Sequence, residues 1–122
     1  MKTVKSLLFD LRTAIGDIAT FTNGMDFDAY VADVKTQRAV EREFEILGEA
    51  LNRLGRAFPE QLEQISEHRK ISGFCNTVAH CYDEIDEVVI WRTIKEDLEQ
   101  LEADIDRIEG GLDGETSSRP TA

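Results

Sequence analysis

The chain is short of the residues that build most other kinds of protein. Two prolines and 8 glycines in 122 residues are too few for an all-β fold of many short strands and turns. Two cysteines, Cys75 and Cys81, cannot form a disulfide framework, so a reducing cytoplasm is the expected location. No apolar run reaches the ~18 residues a membrane helix needs, and no part of the chain is expected to cross a bilayer. The N-terminal MKTVKSLLFDLRTAIGDI has two early lysines but meets Asp10 before any long apolar stretch, so it reads as a first helix rather than a signal peptide. Positive charge is scarce as well: 14 Lys and Arg stand against 25 Asp and Glu, for a net charge of -11. That excludes a protein that coats nucleic acid by bulk electrostatics, which relies on many phosphate contacts, but it leaves room for a small basic site.

What is present is helical periodicity. Hydrophobic residues make up 41% of the chain, too many for a disordered protein of this charge. Val4, Leu8, Leu11, Ile15 and Ile18 step by threes and fours, which predicts a helix over residues 3–22 that stops at Asn23-Gly24. Asp26 or Asp28 can cap a short second segment carrying Phe27, Tyr30, Val31 and Val34. Val40, Phe44, Leu47, Leu51 and Leu54 predict a helix over 36–56, bounded by Gly55 and Pro59, with a short turn of helix over 59–65. Ser66 is the expected cap of a helix running toward Tyr82, and the acidic stretch 83–87 turns the chain. Trp91, Ile94, Leu98, Leu101, Ile105 and Ile108 predict a last helix over 86–109 with an acidic, wet outer face. Gly110-Gly111 is its expected end, and residues 110–122 read as a disordered tail behind a single helical domain, 1–109. The expected fold is all-α: an up-and-down bundle of four main helices plus short extra ones.

Charge is uneven along the chain. Residues 35–70 hold seven cations and seven anions, whereas 81–109 hold three cations and eleven anions. A polyanion is therefore expected at the middle of the chain and not at its C-terminal third.

Polar and reactive side chains concentrate in residues 71–82, I-S-G-F-C-N-T-V-A-H-C-Y. His80 can accept or donate a proton near neutral pH, Asn76 offers an amide, and Tyr82 a modifiable hydroxyl. A lone histidine at a helix end is more commonly a surface or capping residue, so its neighbours must carry the argument. Cys75, His80 and Cys81 do not have the spacing of a structural zinc site, and no metal or other cofactor is expected. On a continuous helix the two cysteines lie ~9 Å apart along the axis and point apart, which excludes a disulfide between them.

The segment G-F-C-N-T-V-A-H-C-Y resembles the signature G-x-R-N-x-x-x-H-x-Y of HEPN-domain ribonuclease toxins of the HepT family. The likeness extends over roughly residues 3–108. It takes in Asp17-Ile18, the sequence A-V-E-R at 39–42, E-I-L-G-E-A at 45–50, Y-D-E-I-D at 82–86 and V-I-W at 89–91. The resemblance implies a helical bundle that forms a homodimer with both motifs facing a shared cleft, and metal-independent cleavage of RNA, whether tRNA or mRNA. It also implies a cognate antitoxin, a minimal nucleotidyltransferase of the MntA type, which transfers AMP to the motif tyrosine. Residue by residue, His80 takes the place of the catalytic histidine, Asn76 the polar residue after the arginine, and Tyr82 the modified tyrosine.

One position departs from the pattern: Cys75 stands where the family has arginine. A guanidinium offers a phosphate a planar fork of donors and a permanent charge. Donors aimed at charge developing in the transition state are worth ~3–4 kcal/mol, a rate factor of ~100–1000. A neutral thiol cannot supply this, so the chain is expected to fold normally and to cleave RNA poorly or not at all. Two readings account for the change. The chain is an inactivated toxin, arginine to cysteine being a one-base codon change, or it is a natural member that kept only an interaction role. Cys75 and His80 are also ~140° apart on an unbroken helix. A working site therefore needs a loosened helix near Ala79-His80 or a wall supplied by a second subunit. Arg38, Arg42, Arg53, Arg69 and Lys70 are the candidate RNA-backbone contacts. Two other functions remain open on the residues alone: a nuclease-dead helical module that binds a nucleotidyltransferase, and a metal-dependent bundle enzyme.

Overall fold

A computed structural model describes residues 2–118, with side chains over 2–112 apart from Tyr82. Among the described residues there is no strand. The elements are α1 (Val4–Phe21), α2 (Phe27–Val31), α3 (Val34–Ala57), α4 (Pro59–Glu63) and α5 (His68–His80). A 3-10 turn (Tyr82–Glu84), α6 (Glu87–Arg92), a π-helical turn (Thr93–Asp97) and α7 (Leu98–Ser118) complete the chain. Four of these are long: α1, α3, α5 and the unit made by α6, the π turn and α7. The expected all-α bundle is therefore what the chain forms.

Caps fix most of the helix starts. Thr3 and Ser6 form a reciprocal capping box at α1, each hydroxyl accepting from the other's backbone N–H at 3.0 Å. Asp26 caps α2 through Ala29 N, Asp33 caps α3 through Thr36 N, and Asp86 caps α6 through Val88 N. Asn23-Gly24 ends α1 as expected, Gly24 taking a φ of 77° that favours glycine.

Two expectations fail, each for a physical reason. Ser66 does not cap α5, which starts after Glu67 without a side-chain cap. Its N–H and hydroxyl instead donate to Asp104 Oδ2 at 3.1 and 3.0 Å. α3, by contrast, ends at Ala57, between Gly55 and Pro59 as expected, and the missing Cβ of Gly55 makes room for Leu62 of α4, whose Cδ2 would lie 2.7 Å from it. Gly110-Gly111 does not end the last helix, which continues to Ser118. Glycine costs a helix interior ~1 kcal/mol but does not forbid it. Residues 119–122 of the expected tail lie outside the described residues.

α3 is the central element and packs against α1, α4 and α5, while α7 packs against α1. Leu7, Leu8, Leu11, Ile15 and Ile18 of α1 meet Val40, Phe44, Leu47, Leu51 and Leu54 of α3 in one core with Ile71 and Val78 of α5. Of the second segment only Tyr30 is buried; Val31 and Val34 face solvent. In the last helix the buried positions are Ile90, Thr93, Leu98, Leu101, Asp104, Ile105 and Ile108. The step of five between Thr93 and Leu98 is the π turn, where Leu98 N–H reaches back to Thr93 O. Hence Trp91 and Ile94, read as part of the buried stripe, are only half-buried. Trp91 instead stacks on Tyr30 at 5.3 Å and carries Lys95 over its ring at 4.6 Å.

Two contacts decide how the helices are held. A Cβ placed on Gly48 of α3 would lie 2.7 Å from Cys75 Cβ of α5, so glycine sets the approach of these helices. Asp104 sits on the face expected to be wet, yet it is 4% exposed. Besides Ser66 it accepts from Gln100 and Arg107, each at 3.0 Å. Burial pushes its carboxyl upward, but the donors from Arg107, Ser66 and Gln100 outweigh that and hold it below the usual carboxylate range.

Gly48→Ala forces a methyl against the Cys75 Cβ, where neither atom is the end of a flexible chain. It is expected to cost about 1–3 kcal/mol in urea unfolding. A wild-type midpoint would show that α5 can move away freely. Because the Asp104 carboxyl titrates lower in the folded protein than in the unfolded chain, its contribution is full above the unfolded pKa near ~4 and is lost as pH falls through the folded value. Asp104→Asn should therefore lower the thermal midpoint at pH 7 and shrink the drop in midpoint on acidification. An unchanged acid limb would contradict the role given to Asp104.

Candidate functional site

α5 is built so that neighbouring residues of one motif face opposite ways. Its inner face is set by Ile71, Cys75 and Val78, all buried, and by Phe74, whose ring meets Phe44 edge-on at 5.0 Å. Cys75 is 1% exposed and lies over Gly48. Burial pushes its thiol up to about 12, so it is neutral at physiological pH and out of reach of any ligand on the surface.

Asn76 and His80 point outward and are exposed. The helix is regular through His80, and Cys81 N–H closes it on Thr77 O at 2.8 Å. There is no loosening near Ala79-His80, so the motif histidine and position 75 do not share a face within one chain. The His80 ring makes no hydrogen bond or ion pair with any described residue. The structure thus brings Asn76 and His80 onto one face and leaves Cys75 behind them. Tyr82 opens the 3-10 turn two residues beyond His80; its side chain lies outside the described residues.

Arg69 joins the outer face. Residues 69, 73, 76 and 80 are spaced by four, three and four, which puts Arg69, Gly73, Asn76 and His80 on one stripe. All four are exposed. α5 is also the only helix among the described residues without a single Asp or Glu. In a chain of net charge -11, this is where an anion meets least repulsion.

The other candidate cations are engaged. Arg38 pairs with Glu41 at 3.0 Å, Arg42 with Glu45 at 2.9 Å, Arg53 with Glu49 at 3.1 Å and Lys70 with Asp97 at 3.2 Å. Arg38 and Arg42 line a groove of about 630 Å³ with Gln37, Glu41, Glu45, Val78, Ile85 and Glu87, where carboxylates outnumber guanidinium groups. Arg69 alone of the five has no carboxylate partner among the described residues. No group of three or more His, Cys, Asp or Glu among the described residues is placed to hold a metal ion, and Cys75, His80 and Cys81 do not converge.

One feature beside this groove had no signal in the sequence. The Tyr30 hydroxyl and Glu87 Oε2 are buried without a hydrogen-bond partner among the described residues. Burial, and then the neighbouring Glu87, push Tyr30 well above the usual phenol range. Burial and Glu87 likewise raise Glu41, against the pull of Arg38. Gly48 was visible only as the glycine of L-G-E-A, a mid-helix position whose purpose needs the partner helix to be seen.

Comparison with known proteins identifies the family. The family model for HepT-like ribonucleases matches residues 11–108, from within α1 to the middle of α7. The chain belongs to the HepT-like ribonuclease family. It is 33% identical over 113 residues to "Putative RNase MJ0127" of Methanocaldococcus jannaschii, covering 89% of this chain and 93% of the relative. It is also 33% identical over 104 residues to "Probable ribonuclease HepT" of Thermococcus cleftensis, covering 85% and 94%. "Putative RNase TTE0752" of Caldanaerobacter subterraneus is 28% identical over 108 residues. No solved structure matches the chain.

The two cysteines of this HepT-like chain should differ in reactivity. Under native conditions a bulky thiol reagent is expected to modify Cys81, which is half-buried, and to leave Cys75 unmodified until the protein is denatured. Equal labelling of both in the folded state would contradict the packing of Cys75 on Gly48.

Proposed function

We propose that this HepT-like protein is the toxin of a toxin–antitoxin pair, a metal-independent endoribonuclease whose site forms where two copies meet. The observation that carries the reading is the outer stripe of α5. Asn76 and His80 lie exposed together on the one helix that carries no carboxylate.

The chemistry follows from those groups. A neighbouring 2'-hydroxyl attacks the phosphorus; its O–P bond forms as the bond from phosphorus to the 5'-oxygen breaks. The products are a 2',3'-cyclic phosphate and a free 5'-hydroxyl. One proton must leave the attacking oxygen and one must reach the departing oxygen. His80, with no competing partner among the described residues, is suited to carry one of them. The Asn76 amide can donate to a phosphoryl oxygen. Negative charge grows on those oxygens, and here the chain is weak. The buried, neutral Cys75 cannot offset it, so cleavage is expected to be ~100–1000-fold below that of a chain with arginine there.

Regulation belongs to the same reading. Tyr82 follows α5 directly, and exposed Asp83 and Glu84 flank it. Transfer of AMP to its hydroxyl by a nucleotidyltransferase antitoxin of the MntA type places an anionic phosphodiester and an adenine beside His80. Bulk and charge then both oppose an incoming RNA phosphate. The buried thiol at position 75 also favours a second reading, a nuclease-dead module that acts only by binding its nucleotidyltransferase. As for location, no helix among the described residues is long and apolar enough to cross a membrane; work in the cytoplasm is part of the proposal.

The test is Cys75→Arg. Position 75 is buried on Gly48, so the new guanidinium must leave the α3–α5 contact to reach RNA. In a variant that stays folded, cleavage of RNA and arrest of host growth should rise by ~100–1000-fold, and His80→Ala in the same background should remove both. A repaired chain that is folded and dimeric yet leaves RNA intact would overturn the nuclease reading. If that chain still bound the product of a neighbouring nucleotidyltransferase gene, the binding-module reading would stand instead.

A further inference from the structure

The outer stripe of α5 carries more than the motif. Arg69 stands on it, exposed, three turns before His80 and within ~20° of it around the helix axis. Along the axis the two are ~16 Å apart, so no single phosphate can touch both within one chain. A second copy changes this. The spacing of 69, 73, 76 and 80 is that of a helix–helix seam, and its four positions are exposed among the described residues. A twofold axis across α5 sets two such seams antiparallel. If the axis crosses midway between Gly73 and Asn76, each end of one seam meets the opposite end of the other.

Three observations favour that register. Gly73 has nothing within 4 Å of where its Cβ would be, which leaves a notch for the Asn76 amide of the partner subunit. The seam has no carboxylate, so two chains of net charge -11 meet where their repulsion is least. Arg69 has no ion pair among the described residues to give up, unlike Arg38, Arg42, Arg53 and Lys70.

We propose that Arg69 of one subunit is the phosphate-binding guanidinium for His80 of the partner subunit, and that it sustains the residual cleavage of a chain whose Cys75 cannot hold a phosphate. The inference rests on the ribonuclease reading above and adds to it a residue, a register and a count of two equivalent sites per dimer. Arg69 takes no part in bond-making; it donates to phosphoryl oxygens as their charge grows.

Two measurements test it on the full chain without the Cys75 repair. First, residual RNA cleavage should fall ~100-fold or more in Arg69→Ala and partly survive in Arg69→Lys, which keeps the charge but loses the fork. His80→Ala should also be silent. Mixing the Arg69→Ala and His80→Ala chains should restore about a quarter of the activity, because half of the dimers are mixed and each holds one complete site. Second, in a Cys81→Ser background, a chain carrying both R69C and H80C should form intersubunit disulfides on mild oxidation, whereas H80C alone should not.

Silence of the mixed dimers, or disulfides from H80C alone, would overturn the register. Absence of any cleavage by the unrepaired chain would overturn the role of Arg69. The two readings separate cleanly. If His80→Ala is silent while Arg69→Ala cleaves normally, only this inference falls; if His80→Ala cleaves normally, the ribonuclease site itself falls.

Discussion

The contact between Gly48 and Cys75 fixes the rest of the structure around the motif. With no side chain on α3 at that point, α5 settles close enough for a Cβ there to overlap Cys75. Once position 75 is turned inward, the helix repeat leaves no choice for its neighbours: position 76 lies ~100° away and position 80 ~140° away, both on the solvent side. The glycine thus acts on chemistry without touching it. It selects which side of α5 becomes core and which becomes available to a ligand.

Electrostatics reinforces that choice. Ion pairs on α3 tie down Arg38, Arg42 and Arg53, so its outer face is close to balanced and offers little free cation. The last helix adds acid after acid. Between them α5 is left without carboxylates, and its free charge is positive. An acidic protein can meet RNA only through a restricted window of this kind, since every additional phosphate contact elsewhere would meet a carboxylate.

Most of the frame was legible in the sequence because helix periodicity and caps are local signals. Thr3, Asp26 and Pro59 begin helices as their types predict, and the apolar stripes of α1 and α3 are buried as read. What was not legible is long-range. Ser66 has the makings of a cap, but Asp104, 38 positions away, claims it. Asp104 in turn reads as one more acid on a wet face until three donors converge on it. The phase of the last helix was misread between Trp91 and Ile94, since a π turn leaves no mark in composition. The motif residues were legible as a set, yet their division between core and surface depends on a partner helix. The free state of Arg69 likewise depends on where the other helices place their carboxylates.

The π turn in the last helix has a consequence for how the molecule can change over time. One residue more than an α-helix needs is stored between Thr93 and Asp97, and it uncouples the phase of the segment before it from the phase of the segment after it. The rear half is locked by Leu101, Ile105 and Ile108, so its orientation is not free to drift. The front half, Glu87–Arg92, leads straight back to the turn that begins at Tyr82. Loss of that stored residue would swivel the front half by about a quarter-turn and re-aim the segment beside the motif, with the hydrophobic interior left intact. The π turn therefore separates the orientation of the segment beside the motif from that of the buried rear half.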